Sequence, residues 1–297
     1  MRACVIFNPN ARGGRSPRFQ ERLKHLVGTI PCLSTSAPGG AGILAKEAVS
    51  KGFDTLIAVG GDGTLNEIVN GLAEIPACFS NTRLAVLPAG TANVFARELA
   101  LPFQLEKAWE IVLQGHEIHV DLGLAEFQHQ SAPRKRLFLQ LGGAGLDARA
   151  VELLNQKLKK KLGSLAYLWA GVHALCESRP RLRIQAGNES AEVELALLGN
   201  GHRYGGPFPL FPYASLKDGR LDATLFPHAN WSVLWQVARD MWAENWNGLG
   251  GAFHWQADTF RLDPLANGRV PLELDGEWVG VLPATFRIYP HRLRVIC

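Results

Sequence analysis

Thr55-Leu56-Ile57-Ala58-Val59-Gly60-Gly61-Asp62-Gly63-Thr64-Leu65-Asn66-Glu67 joins an apolar run to a glycine turn and a helical pattern that continues to Leu72. The order predicts a buried strand, a tight turn and a helix. A helix N-terminus directs several backbone N–H groups at one point, and anions bind there. Gly60, Gly61 and Gly63 let a backbone approach an anion closely. Asp62 is the discordant residue, because a carboxylate beside a phosphate repels it unless a cation lies between. The stretch therefore suggests nucleotide phosphates bridged by a metal, with Mg²⁺ the natural choice for phosphate and carboxylate oxygens. The bland alternative is a strand-to-helix turn with Asp62 or Thr64 as N-cap. Neither G-x-x-x-x-G-K-[ST] nor G-x-G-x-x-G is present in the turn.

Two flanking segments share this design. Ala3-Cys4-Val5-Ile6-Phe7 runs into Asn8-Pro9-Asn10-Ala11-Arg12-Gly13-Gly14, followed by a helix from about Pro17 to Val27. Leu84-Ala85-Val86-Leu87 runs into Pro88-Ala89-Gly90-Thr91-Ala92-Asn93, with a helix through about Leu99. Continuous apolar strands alternating with helices predict a doubly wound parallel α/β sheet. Ligands of such sheets lie beyond the strand C-terminal ends, where all three loops fall.

Past about Asp121 the texture changes. Leu137–Leu141, Leu182–Gln185, Val193–Leu198, Leu221–Phe226, Thr259–Leu262, Val270–Leu274 and Thr285–Tyr289 are short strand patterns separated by Gly, Pro and Asn. They predict an antiparallel β-sandwich or barrel. Helical patterns interrupt them at about Asp147–Glu177 and from Trp231 to about Trp246. The chain thus divides into an α/β nucleotide-binding domain, 1–120, and a β-rich domain, 121–297. The strand Arg292–Ile296 is free to return to the first.

The 297 residues suit two domains, and the net charge of +4 leans only mildly toward anionic partners. No nucleic-acid partner is expected. Five scattered cysteines without a C-x-x-C read as reduced thiols of a cytoplasmic protein. The first strand is too short for a signal segment, and Leu165–Cys176 is too short to span a bilayer. Any membrane contact is then peripheral, at the inner face. Oligomeric state is open, a dimer included.

Two later segments complete the pattern. Gly199-Asn200-Gly201 opens a long loop that closes with Ser215-Leu216-Lys217-Asp218-Gly219-Arg220, and Leu274-Asp275-Gly276-Glu277 is a hairpin turn displaying carboxylates. With Phe7-Asn8-Pro9, Gly60–Glu67, Leu87–Ala96, Asp218-Gly219 and Asp275-Gly276-Glu277 in this order, the chain resembles soluble bacterial lipid kinases of the diacylglycerol kinase and sphingosine kinase catalytic family. The likeness runs from the first strand to the last. The glycine motif alone is shared with NAD kinases and phosphofructokinases.

The resemblance implies ATP and Mg²⁺ as cofactors and a lipid hydroxyl as acceptor. It implies nucleotide contacts from the loop of Asn8, Pro9, Asn10, Arg12 and Gly13, from Thr35, from Gly60, Gly61, Asp62, Gly63, Thr64, Leu65 and Asn66, and from Thr91. It also implies a Mg²⁺ site at Asp218 with the carbonyls of Ser215 and Arg220, and Glu277 as proton acceptor. The first loop is one residue longer before its glycine than the usual form, which leaves room for Arg12 to take a phosphate contact. Val94 stands where the family often has an acid.

The chemistry suits these residues, because phosphoryl transfer needs positioning and charge neutralisation more than covalent work. A lipid hydroxyl gives up its proton only as the phosphorus–oxygen bond forms, so a carboxylate suffices as base. Glu277 would meet the nucleotide across an interdomain cleft, with Asp275 as the rival base. Rival functions are a soluble-substrate kinase such as an NAD kinase, and a non-catalytic nucleotide- or lipid-binding regulator. The lysines at 157 and 159–161 make either a lipid-facing or a solvated basic helix face. Trp231, Trp235, Trp242 and Trp246 read as core or cleft lining, and His116 and His119 as surface residues.

Overall fold

The computed structural model describes residues 2–153, 181–243, 249–265 and 268–297. The lysine cluster at 157–161, the segment 165–176 and Trp246 lie outside them. The chain divides into two compact units, 1–122 with 205–207 and 289–297, and 123–204 with 208–288.

In the first unit the elements run β1 (Ala3–Phe7), α1 (Pro17–Val27), β2 (Cys32–Ser34), α2 (Gly40–Ser50), β3 (Thr55–Gly60), α3 (Asp62–Ala73), α4 (Cys78–Asn81), β4 (Arg83–Pro88), α5 (Val94–Glu98), α6 (Leu105–Gln114) and β5 (Glu117–Val120). The sheet order is β2-β1-β3-β4, then β19 (Leu293–Ile296), then β5. The first five of these strands are parallel and β5 is antiparallel. Every residue of β1 and β3 is buried, as covering by helices on both faces requires. Strand order reverses between β1 and β3, the switch point where open α/β sheets bind ligands. Helices α2 and α3 pack closely through Gly42 and Gly71, where an added Cβ at Gly71 would sit 2.4 Å from the Gly42 carbonyl oxygen.

Strand β19 is held by more than its ladder. Arg294 Nη2 lies 2.8 Å from Glu117, and Arg83 Nη1 lies 2.7 Å from the same carboxylate. Arg83 also donates to Thr55 Oγ1 at 2.8 Å. Four strands are tied through one acidic side chain and its two arginines.

The second unit contains β6 (Gly123–His129), β7 (Ala132–Phe138), β8 (Leu141–Gly145), α7 (Leu146–Leu153), β9 (Leu182–Ala186), β10 (Glu189–Val193), β11 (Leu195–Gly199), β12 (Arg203–Tyr204), β13 (Phe208–Pro209), β14 (Leu221–Phe226), α8 (Trp231–Trp242), β15 (Phe253–Ala257), β16 (Thr259–Pro264), β17 (Pro271–Leu274) and β18 (Glu277–Ile288). Its large sheet is antiparallel, in the order β10-β9-β16-β18-β17-β8-β11-β14-β15, with β6 on β18 and β7 on β6. Phe138, Phe260, Phe286, Leu262, Leu272 and Leu274 are fully or almost fully buried in its core.

Two boundaries differ from the sequence reading. The strand expected at Leu137–Leu141 is two strands, because the amides of Leu139, Gln140 and Leu141 turn to the Asp275 carboxylate. The strand expected at Thr285–Tyr289 begins eight residues earlier, at Glu277. Gly280 and Pro283 look like breakers in sequence. Here Gly280 lets the chain pass so near Gln128 that a Cβ would meet its carbonyl at 2.4 Å, and the register shifts between Val281 and Ala284. The tryptophans also depart from expectation: Val233 and Val237 of α8 pack on a core cluster, while Trp231 and Trp235 are 51% and 73% exposed.

Candidate active site

The loops after β1, β3 and β4 are tied to one another by backbone and short side chains. Asn8 Nδ2 donates to Thr64 Oγ1 at 3.0 Å, joining the first loop to the second. The Gly13 amide donates to the Ala89 carbonyl at 2.8 Å, joining the first to the third. Gly61 and Gly90 meet backbone to backbone, where a Cβ on Gly90 would sit 2.4 Å from the Gly61 Cα. Larger residues at either position would part the second loop from the third. The convergence expected from three glycine-bearing strand ends is therefore a physical junction.

Local chemistry explains how each loop holds its shape. Asn93 has φ of +49°, and its side-chain amide accepts from the Gly90 amide at 2.9 Å and donates to the Gly90 carbonyl at 3.1 Å. Helix α3 has Gly61 as N-cap with no capping side chain, so its first-turn donors and dipole act on whatever anion lies at that end. Asp62 occupies the first helical position. It is thus neither the N-cap of the turn nor simply a surface residue: its Oδ1 accepts the Phe95 amide at 3.1 Å, capping α5 from another loop. Burial pushes its carboxyl above the ordinary value, with backbone amides of Phe95 and Val94 pulling the other way. Glu67 caps a second helix from outside, accepting from Gly39 at 2.8 Å and Ala41 at 3.0 Å at the start of α2.

Of the remaining expected contacts, Thr35 is buried beside β1, its amide donating to the Phe7 carbonyl at 2.9 Å. Thr64, Leu65 and Asn66 are buried in the first turn of α3. Arg12, Asn10 and Thr91 are exposed, with Pro9 and Gly63 partly so. Oriented amides and a half-buried carboxylate on one strand-end face can cradle a phosphate and hold its cation.

The second unit presents two acidic turns. At Asp275-Gly276-Glu277 the backbone is left-handed at Asp275, with φ of +47°. Asp275 Oδ1 accepts from Gln140 and Leu141 at 2.9 and 3.0 Å, and Oδ2 from Leu139 at 2.8 Å. Its carboxylate is a turn anchor. Glu277 by contrast carries a half-exposed carboxylate, 2.7 Å from Arg136 Nη2. Sequence reading did not find Arg136 as its partner, because 141 residues separate the pair.

At the other turn Asp218 Oδ1 accepts the Arg220 amide at 3.0 Å and Oδ2 lies 3.2 Å from Gln256 Nε2. The Ser215 carbonyl is 3.5 Å from the Asp218 amide, a weak bond that leaves oxygen lone pairs available. The Arg220 guanidinium is directed to Gln256 Oε1 at 2.9 Å. Among the described residues no three His, Cys, Asp or Glu side chains gather to hold a metal. One carboxylate with two carbonyls is nonetheless a hard-oxygen set of the kind Mg²⁺ takes, water supplying the rest. Neighbouring Asp222 is buried, which raises its carboxyl to about 6.

An α/β unit with three strand-end loops joined at a helix N-terminus, followed by an antiparallel unit bearing a carboxylate on a pinned hairpin, is the architecture of a two-unit kinase. Residues 2–125 match the diacylglycerol kinase catalytic domain, and residues 142–297 the YegS C-terminal NAD kinase beta sandwich-like domain. The chain belongs to the diacylglycerol kinase family. A diacylglycerol kinase of Bacillus subtilis (strain 168) is 32% identical over 98% of this chain and 94% of that protein. Another, of Staphylococcus carnosus (strain TM300), is 29% identical over 96% of this chain and 91% of its own length. A solved diacylglycerol kinase structure from Bacillus anthracis str. Sterne shares the fold at a TM-score of 0.76 and 23% identity, covering 99% of this chain and 96% of that one. No helix among the described residues is long and apolar enough to cross a membrane.

Proposed function

We propose that the protein transfers the γ-phosphoryl group of ATP to the free hydroxyl of a diacylglycerol-like lipid. The observation that carries the nucleotide half is the mutual junction of the Asn8, Gly60–Asn66 and Ala89–Asn93 loops at the uncapped start of α3. Those amides bind phosphate oxygens, Arg12 and Thr91 lie exposed at the rim, and Thr35 supports the adjoining strand end. Asp62, held in place by the Phe95 amide, would be the side chain that holds the Mg²⁺ accompanying the nucleotide. Bound Mg²⁺ neutralises charge that develops on the phosphoryl oxygens. Asp218 with the Ser215 and Arg220 carbonyls would hold a second Mg²⁺, which would steady that loop. The family names of the relatives support the lipid acceptor.

Glu277 accepts the hydroxyl proton as the new bond forms. Asp275 is the weaker candidate for base, since both its oxygens already accept backbone amides. Transfer of label from ATP to a panel of diacylglycerol, phosphatidylglycerol, monoacylglycerol, sphingoid base and NAD tests the assignment. Diacylglycerol should be labelled first, and labelling of NAD alone would overturn it. In the same assay Glu277→Gln should lower kcat by about 10²- to 10⁴-fold with the ATP dissociation constant unchanged. Asp275→Asn turns an amide N–H toward backbone donors, so it should lower thermal stability as well as kcat.

A further inference from the structure

We infer that Arg136 is a positioning residue for the proposed base, a role that rests on Glu277 being the proton acceptor. Arg136 lies near the end of β7 and Glu277 opens β18, yet Nη2 and Oε2 are 2.7 Å apart. The pair is more sheltered on the arginine side, which is 27% exposed against 44% for the glutamate. A proton acceptor must present one oxygen at a fixed place, and a glutamate on a turn has three side-chain torsions to restrain. Two constraints act on this one. Asp275 fixes the backbone of the turn through three amides, and the guanidinium fixes the carboxylate through Oε2, which leaves Oε1 for the acceptor hydroxyl. An exposed ion pair adds little to folding. The pair's value therefore lies in orientation.

The test is a double-mutant cycle on the full chain, using ATP and diacylglycerol dispersed in detergent, with kcat, the KM for ATP and thermal melting read for each variant. Arg136→Gln should lower kcat on the order of 10-fold while the ATP KM and the melting midpoint stay near wild type. Arg136→Lys should recover part of that loss, because an ammonium can hold one oxygen but lacks the fork. In a Glu277→Gln background Arg136→Gln should add nothing, since there is no base left to orient. A wild-type kcat in Arg136→Gln, with Glu277→Gln collapsed, overturns the positioning role alone. An equal further loss in the Glu277→Gln background also overturns it, and would mean the guanidinium acts on substrate independently. Retention of kcat by Glu277→Gln overturns the base assignment and this inference with it.

Discussion

Gly90→Ala probes whether the loop junction is the nucleotide site, and the structure sets the size of the effect. The new Cβ would lie 2.4 Å from the Gly61 Cα and 2.6 Å from Asn93 Oδ1. Gly90 is not in the left-handed region, so the effect is purely steric. Ordinary contact starts near 3.4 Å, and reaching it parts the second and third loops by about 1 Å. Overpacking of this kind costs about 1–3 kcal/mol, a fall of several degrees in melting midpoint for a domain of this size. The functional loss should be larger, since a displacement of about 1 Å in a positioning site costs on the order of 10²-fold in rate. Initial rates of label transfer across an ATP titration, beside a melting curve, measure both. Gly268→Ala is the control, as its Cβ has no neighbour within 4 Å. Gly90→Ala with wild-type kcat and KM would refute the idea that apposition of these loops builds the phosphate site.

Asp62→Ala removes the external cap of α5 as well as the proposed cation ligand, so it should lose nearly all transfer and about 1 kcal/mol of stability. Asp62→Asn keeps an acceptor for Phe95 and should lose transfer with less change in melting; full activity in Asp62→Asn counts against the metal role. Asp218→Ala should raise the Mg²⁺ concentration needed for half-maximal rate, or abolish the melting shift that Mg²⁺ produces, and an unmoved titration together with an unmoved shift contradicts it. Glu117 has its carboxyl held below the usual range, first by the Arg83 hydrogen bond and then by Arg294. A depressed carboxylate adds stability above its unfolded pKa and loses it as pH falls through the folded one. Glu117→Gln should therefore melt well below wild type at pH 7 and converge on it below about pH 4. A difference that persists unchanged into acid would show the loss is not ionic.

Much of the first unit is legible in sequence because its signals are local. Continuous apolar strands such as Cys4-Val5-Ile6 and Leu56-Ile57-Ala58 admit burial on both faces only, and glycine loops at their ends mark the ligand side. The partners that give individual residues their work are distant in the chain. Asp62 reaches a helix 33 positions on, and the Asp275 carboxylate takes amides 134 to 136 positions earlier. No pattern around Asp275 announces those donors, which is why Asp275 and Glu277 look equivalent as bases in sequence and differ in the fold. Likewise, the spacing of Trp231 and Trp235 shows that they share a helix face but not which face the core takes.

The place of β19 has a consequence for biosynthesis. It lies between β4 and β5, with all of the second unit synthesised before it. Until those residues leave the ribosome, β4 and β5 each offer an unpaired edge to any other strand nearby. The nascent first unit must therefore wait, or be shielded by chaperones, while the second unit has all its strands and can fold. A chain that stalls or is clipped before Leu293 lacks the strand that joins β4 to β5, so partial products should be open to proteolysis.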